Sequence, residues 1–126
     1  DTRESPLFTA TRNNMLPAMD LLIQGGANLG LENELGENVV HEAVTFSDSL
    51  VLVRLLEMGG DVNHRDNVGD TPLHRAAFKG DTLRAGILLR HGAKFNLRNE
   101  MGLTARGQAM AEGQEVFIRM INDFTP

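Results

Sequence analysis

Histidines and one Ser-Asp pair are the side chains of this 126-residue chain best suited to acid-base or nucleophilic chemistry. His41 and His74 lie 33 residues apart, and Ser47 and Asp48 follow the first of them. On paper, a histidine base, a serine nucleophile and an aspartate form a hydrolase triad. An active site needs a single set of catalytic side chains, however, whereas a histidine that recurs at a fixed interval is typical of a structural role within each repeat. We therefore expect structural histidines that bridge backbone groups near helix starts, and no enzyme activity.

Metal and phosphate sites are not predicted either. The chain has no Cys, and His64 and His91 have no third ligand at metal spacing, so neither zinc nor a disulfide is expected. No glycine is followed by the Lys-Ser or Lys-Thr pair of a phosphate-binding loop. We expect no cofactor and no small-molecule substrate.

The charge of the chain is acidic and uneven. The net charge is -5, which argues against nucleic acid as the main partner, and the absence of Trp and Tyr removes the usual stacking platform for single strands. Residues 1–63 hold three basic and ten acidic side chains, whereas residues 64–126 hold nine and seven. No stretch of the sequence resembles a signal peptide, and no apolar run approaches the roughly 20 residues that cross a bilayer. We expect a soluble intracellular protein, cytoplasmic or nuclear, without membrane insertion.

The sequence repeats itself every 33 residues. The columns that show it are Gly36, Gly69 and Gly102; Gly26, Gly59 and Gly92; and Ala10, Ala43, Ala76 and Ala109. Four units follow, at approximately residues 1–33, 34–66, 67–99 and 100–126. Equal units without insertions are typical of a solenoid, in which each unit packs on its neighbours. We expect a single repeat domain over residues 1–126 and, since residue 1 is not Met, a piece of a longer chain.

Each unit is predicted to hold two helices. In the third unit, Thr71 caps a helix whose first residue is Pro72, because Pro lacks the amide hydrogen that a first-turn residue leaves unpaired. This helix is predicted to end at about Lys79, and a second helix, capped by Asp81-Thr82, is predicted to continue to His91. A glycine follows each helix, where the left-handed conformation of a helix end needs no Cβ.

The third unit resembles the ankyrin repeat. Its residues from Gly69 to Asn96 follow that pattern, with Gly-x-Thr-Pro-Leu-His-x-Ala-Ala first and a Leu-Leu pair and Gly-Ala later. The match is specific in the third unit, good in the second and degenerate in the two end units. The resemblance implies an all-α ankyrin-repeat solenoid of helix-turn-helix units with short β-hairpin fingers. It also implies a protein-protein interaction module that binds a protein or peptide on its concave face and hairpin tips. The alternative is a regulatory or targeting segment of a larger enzyme, packed in cis on a catalytic domain.

One repeat position at the predicted finger tips is apolar in three units, where it holds Leu35, Val68 and Met101. The family tolerates polar residues at this position. An apolar strip rimmed by charge is typical of a protein interface. The two exposed-looking Phe residues at the ends of first helices and the charged residues near the tips complete the predicted partner-binding set. That set is Leu35, Glu37, Phe46, Arg65, Val68, Asp70, Arg75, Phe78, Lys79 and Met101. The alternative left open is that the tips fold inward against neighbouring hairpins.

Asn63 carries a second hypothesis. It follows Asp61 and Val62, with Leu55 eight positions before it, which resembles the acceptor pattern of an oxygen-dependent asparaginyl hydroxylase on ankyrin proteins. The alternative is that the Asn63 side chain ties its hairpin by hydrogen bonds, and both roles can coexist. Mass spectrometry of the protein from animal cells tests the modification.

Overall fold

The computed structural model describes residues 5–124 of the chain. This range contains eight α-helices and no strand. The helices are α1 (Pro6–Arg12), α2 (Leu16–Gln24), α3 (Val39–Phe46), α4 (Ser49–Glu57), α5 (Pro72–Lys79), α6 (Thr82–Arg90), α7 (Ala105–Ala111) and α8 (Glu115–Phe124). They form four helix-turn-helix pairs, one for each sequence repeat, which confirms the all-α prediction. The chain divides after Asp61 into two compact units, with α1–α4 in unit 1 and α5–α8 in unit 2.

Capping side chains set the helix starts. The Thr71 hydroxyl accepts a hydrogen bond from the His74 N–H at 3.4 Å at the start of α5, and Pro72 is the first residue of that helix. A carboxylate caps α6, where Asp81 Oδ1 accepts from the Arg84 N–H at 3.0 Å. Such caps are each worth about 1 kcal/mol. The same type of residue caps α1, α3, α4 and α7, namely Ser5, Asn38, Asp48 and Thr104.

The helix ends also follow the sequence pattern. α5 ends at Lys79, as predicted, and Gly80 follows it with a φ of 71°, in the left-handed region. α6 ends at Arg90, one residue before the predicted end. Local chemistry therefore sets the helix bounds of the third repeat almost completely.

The core of unit 1 lies between the first helices of its two repeats and the second helices that cover them. α1 packs on α3, α2 packs on α1, and α4 packs on α3. The largest side chains of this core are Leu7, Phe8, Met19, Leu52 and Leu55, all of them buried. Unit 1 is thus two stacked helix pairs.

Unit 2 has the same internal arrangement. α5 packs on α7, α6 packs on α5, and α8 packs on both α7 and α6. Its core is built from Leu73, Leu88, Phe117 and Ile121. No helix within residues 5–124 is long and apolar enough to span a bilayer.

The loops between successive helix pairs each contain a short turn that we call a finger, at residues 33–37, 66–70 and 99–103. In the first, the Gly36 N–H donates to the Asn33 carbonyl and the Asn33 N–H donates to the Glu37 carbonyl, both at 3.0 Å. The other two fingers have the same pair of backbone bonds. The fingers are therefore tight hydrogen-bonded turns. No strand occurs in them, so the β-hairpin part of the fold prediction is not confirmed.

Candidate functional site

The same kind of side chain holds each finger from within. Asn33 Oδ1 accepts from the Leu35 N–H at 2.9 Å and from the Glu37 N–H at 3.1 Å. Asp66 Oδ1 and Asn99 Oδ1 bind the N–H groups two and four residues further on in the same way, at 2.9–3.0 Å. This bonding fixes the backbone of the residue at the tip, two positions after the Asn or Asp, while its side chain takes no part.

The three tip side chains are exposed. Their exposed fractions are 63% for Leu35, 55% for Val68 and 83% for Met101. The inward-folded alternative therefore does not occur, and an apolar side chain stands at each finger tip. We refer to Val68 and Met101 together as the unit-2 tip strip, because they belong to adjacent fingers of one compact unit.

The two fingers of unit 2 are in direct contact. The Glu100 N–H donates to the Val68 carbonyl at 3.0 Å, and Asn99 Nδ2 donates to Asp70 Oδ1 at 2.9 Å. A Cβ on Gly69 would lie 2.9 Å from the Glu100 N and 3.1 Å from the Asn99 Cα. The backbones approach too closely for any side chain at position 69, so the unit-2 tip strip has a fixed geometry.

Two phenylalanines at the ends of α3 and α5, the first helices of their repeats, are also exposed. Phe46 is the last residue of α3 and is 56% exposed, with the Arg12 guanidinium 5.4 Å from the centre of its ring. Phe78 is 53% exposed near the end of α5, beside the exposed Lys79. The Phe78 carbonyl accepts from Gln114 Nε2 at 3.0 Å, so a neighbouring loop holds the end of that helix.

Most of the predicted charged residues lie near the fingers, but not all are equally accessible. Arg65 is exposed. Arg75 is half-buried and pairs with Asp66 at 3.1 Å, and Asp70 is half-buried and bonded to Asn99. The Asp66 carboxylate, which the sequence analysis did not single out, thus bonds its own finger with one oxygen and Arg75 with the other.

Glu37 lies elsewhere than the predicted surface requires. Its residue is only 7% exposed, and its Oε1 accepts from Asn33 Nδ2 at 2.8 Å. The carboxylate serves the finger that carries Leu35, because a polar group buried this far needs a hydrogen-bond partner. We therefore leave Glu37 out of the proposed binding surface.

The histidines have the structural role that their repetition predicts. His74 is buried; its Nδ1 accepts from the Thr71 N–H at 3.1 Å and its Nε2 donates to the Leu103 carbonyl at 2.8 Å. His41 Nδ1 accepts from the Asn38 N–H at 3.3 Å in the same way. The Ser47 hydroxyl donates to the Thr11 carbonyl, so the paper triad is not assembled. Within residues 5–124, no three His, Asp or Glu side chains converge as a metal site needs.

Both ends of the Asn63 side chain bind the following repeat. Asn63 Nδ2 donates to the Gly92 carbonyl at 3.2 Å, and its Oδ1 accepts from the Lys94 N–H at 2.9 Å. This is the tying role weighed as the alternative for this residue. Hydroxylation of Asn63 stays a prediction.

Comparison with models of protein families gives a match. A family model described as ankyrin repeats (many copies) matches residues 40–89. The matched range includes most of α3, all of α4 and α5, most of α6, and the finger that carries Val68. No curated protein matches the chain at a significant level.

Proposed function

We propose that this chain, whose residues 40–89 match the ankyrin-repeat family model, binds a protein or peptide through its finger tips and through the ends of helices α3 and α5. Ankyrin repeats are generally protein-protein interaction modules and are typically not catalytic. The observation that carries the proposal is the exposure of Leu35, Val68 and Met101 on backbone that side chains lock from beneath. A surface that is ordered before it meets its partner loses little conformational entropy on binding.

The remaining surface residues contribute in two ways, by adding apolar area to the interface and by orienting the partner. Phe46 and Phe78 add apolar area at the ends of α3 and α5. Aromatic side chains are enriched in protein interfaces. Arg65 and Lys79 are exposed cations that select the register of a partner, because a charge at the rim of an interface acts mainly on orientation and association rate. The binding surface proposed is therefore apolar at the tips and charged beside them.

The first test compares two triple variants. Replacing Leu35, Val68 and Met101 with Ser is expected to weaken partner binding at least tenfold, since each substitution removes apolar area from the interface. The matched control replaces Leu50, Leu83 and Val116 with Ser. These three also share one 33-residue column and are comparably exposed, but they lie in the first turns of second helices.

The measurement is affinity capture from a cell extract with the wild type and both variants, followed by titration of a captured protein. Circular dichroism establishes that all three are folded. Proteins that the tip variant and the control retain equally well would show that the tips do not carry the binding.

A second prediction separates binding from folding. Phe78→Ala is expected to weaken binding of the captured partner while lowering the free energy of unfolding by less than about 1 kcal/mol, because the ring is half exposed. The control Phe117→Ala removes a ring buried in unit 2 and is expected to lower that free energy by about 3–5 kcal/mol. Urea denaturation measures both. A loss for Phe78→Ala as large as the control's would assign Phe78 to the core instead.

A further inference from the structure

The charged side chains near the finger tips differ in the sign of their charge between the two units. Glu32 in unit 1 occupies the repeat position that Arg65 and Arg98 occupy in unit 2, three residues before the tip. All three side chains are exposed. The exposed Glu34 adds a second carboxylate directly before Leu35. The finger of unit 1 thus presents an apolar side chain among carboxylates.

The unit-2 tip strip has arginines beside it at that repeat position. Arg98 Nη1 donates to the Gly102 carbonyl at 2.7 Å, which places its guanidinium against the finger that carries Met101. Among the nearby carboxylates, that of Asp66 is neutralised by its ion pair with Arg75, whereas that of Asp70 is bonded to the neutral Asn99 amide and keeps its negative charge. The exposed Glu100 adds a further carboxylate at this strip. Over the sequence, residues 1–63 carry a formal charge of -7 and residues 64–126 a charge of +2.

We propose that one partner of this surface is a second copy of the chain. The finger of unit 1, with Leu35 between its glutamates, docks on the unit-2 tip strip of another copy, beside Arg65 and Arg98. This inference rests on the proposed function, because it names an occupant for the same tips. What the strip recognises is an apolar side chain flanked by carboxylates on a rigid turn, and the finger of unit 1 has that chemistry.

The energetics make such a contact weak and salt-dependent. Two small patches of different composition meet, so the area buried is below that of a standard interface and the dissociation constant is expected in the micromolar range or weaker. The Debye length is about 10 Å at 0.1 M salt and about 3 Å at 1 M, so added salt screens the attraction between exposed charges. The contact is also heterologous, with different patches on the two copies.

The test uses sedimentation velocity of the purified chain alone. At about 20 mM salt, the weight-average sedimentation coefficient is expected to rise with protein concentration, and the rise should disappear above about 500 mM salt. Two charge-reversed variants are compared with the wild type. The acid-reversed variant carries Glu32→Lys and Glu34→Lys, and the base-reversed variant carries Arg65→Glu and Arg98→Glu.

Each variant by itself is expected to lose at least tenfold in association constant, because the reversed side chains then meet side chains of the same sign on the other copy. An equimolar mixture of the two should associate again, since the unchanged finger of one meets the unchanged strip of the other. The neutral variants Glu32→Gln and Glu34→Gln, which change the fold least, should weaken association several-fold.

Three outcomes would overturn the inference. The wild type stays monomeric at low salt, or the reversals leave its association unchanged, or the folded variants fail to associate when mixed. None of these results bears on the capture of other proteins by the tips. Loss of capture in the tip variant, conversely, would be seen whether or not the chain pairs with itself.

Discussion

Replacing Gly69 with Ala is expected to lower the free energy of unfolding by about 2–4 kcal/mol, whereas Gly102→Ala should lower it by only about 1–2 kcal/mol. Both glycines occupy the same repeat position and have φ near +80°, at 80° and 78°. An L-residue is strained in that region, which accounts for the shared part of the loss. Only at position 69 would the new Cβ meet the backbone of the next finger, at 2.9 Å from the Glu100 N.

The additional loss at Gly69 has a specific structural origin. Relief of the contact requires the two fingers of unit 2 to separate, which breaks the hydrogen bond from the Glu100 N–H to the Val68 carbonyl. Beyond Gly102 itself and its two chain neighbours, no heavy atom lies within 4 Å of a Cβ built on Gly102, so that variant reports backbone strain alone. Urea denaturation of both variants at neutral pH gives the comparison. Equal losses at the two positions would show that the finger contact contributes nothing to stability.

The substitution His74→Leu is expected to lower the free energy of unfolding by about 3 kcal/mol. Leu is close to His in volume, so the change removes the imidazole hydrogen bonds without opening a large cavity. The Thr71 N–H and the Leu103 carbonyl would then lose the hydrogen bonds that they form with the buried imidazole. An unsatisfied buried polar group costs about 1–3 kcal/mol.

His91→Leu is the matched control for this prediction. His91 is exposed at the end of α6, and its Nδ1 bonds the Ile87 carbonyl at 2.9 Å, so its loss should cost below about 1 kcal/mol. Urea denaturation followed by far-UV circular dichroism measures both variants. If the two histidines prove equally dispensable, the recurrence of His41 and His74 needs another explanation than the bonds they make.

The sequence was sufficient for the parts of the fold that depend on near neighbours. The cap at Thr71, the first-turn Pro72 and the break at Gly80 each act within a few residues, so the bounds of α5 could be read directly. The histidine that bridges its own helix start is local in the same sense. The 33-residue interval then carried these assignments to the other repeats.

The sequence could not show which polar side chains would form hydrogen bonds or ion pairs that depend on the folded structure. Glu42 is buried and its Oε1 lies 2.7 Å from Arg12 Nη2, but the equivalent positions hold Thr9 and Arg75, so no column indicates this pair. Glu37 looked like a surface charge for the same reason, because its burial depends on how the finger closes. The 33-residue interval, by contrast, does show that Leu50, Leu83 and Val116 share one repeat position.

The way each finger is closed separates the groups that the backbone needs from the side chains of the proposed binding surface. The only group of each tip residue that Asn33, Asp66 or Asn99 binds is its main-chain N–H, which every amino acid except proline has. Mutation at positions 35, 68 and 101 can therefore alter recognition without rebuilding the loop. Over evolution, or in a laboratory library, such a scaffold can acquire new partners one codon at a time.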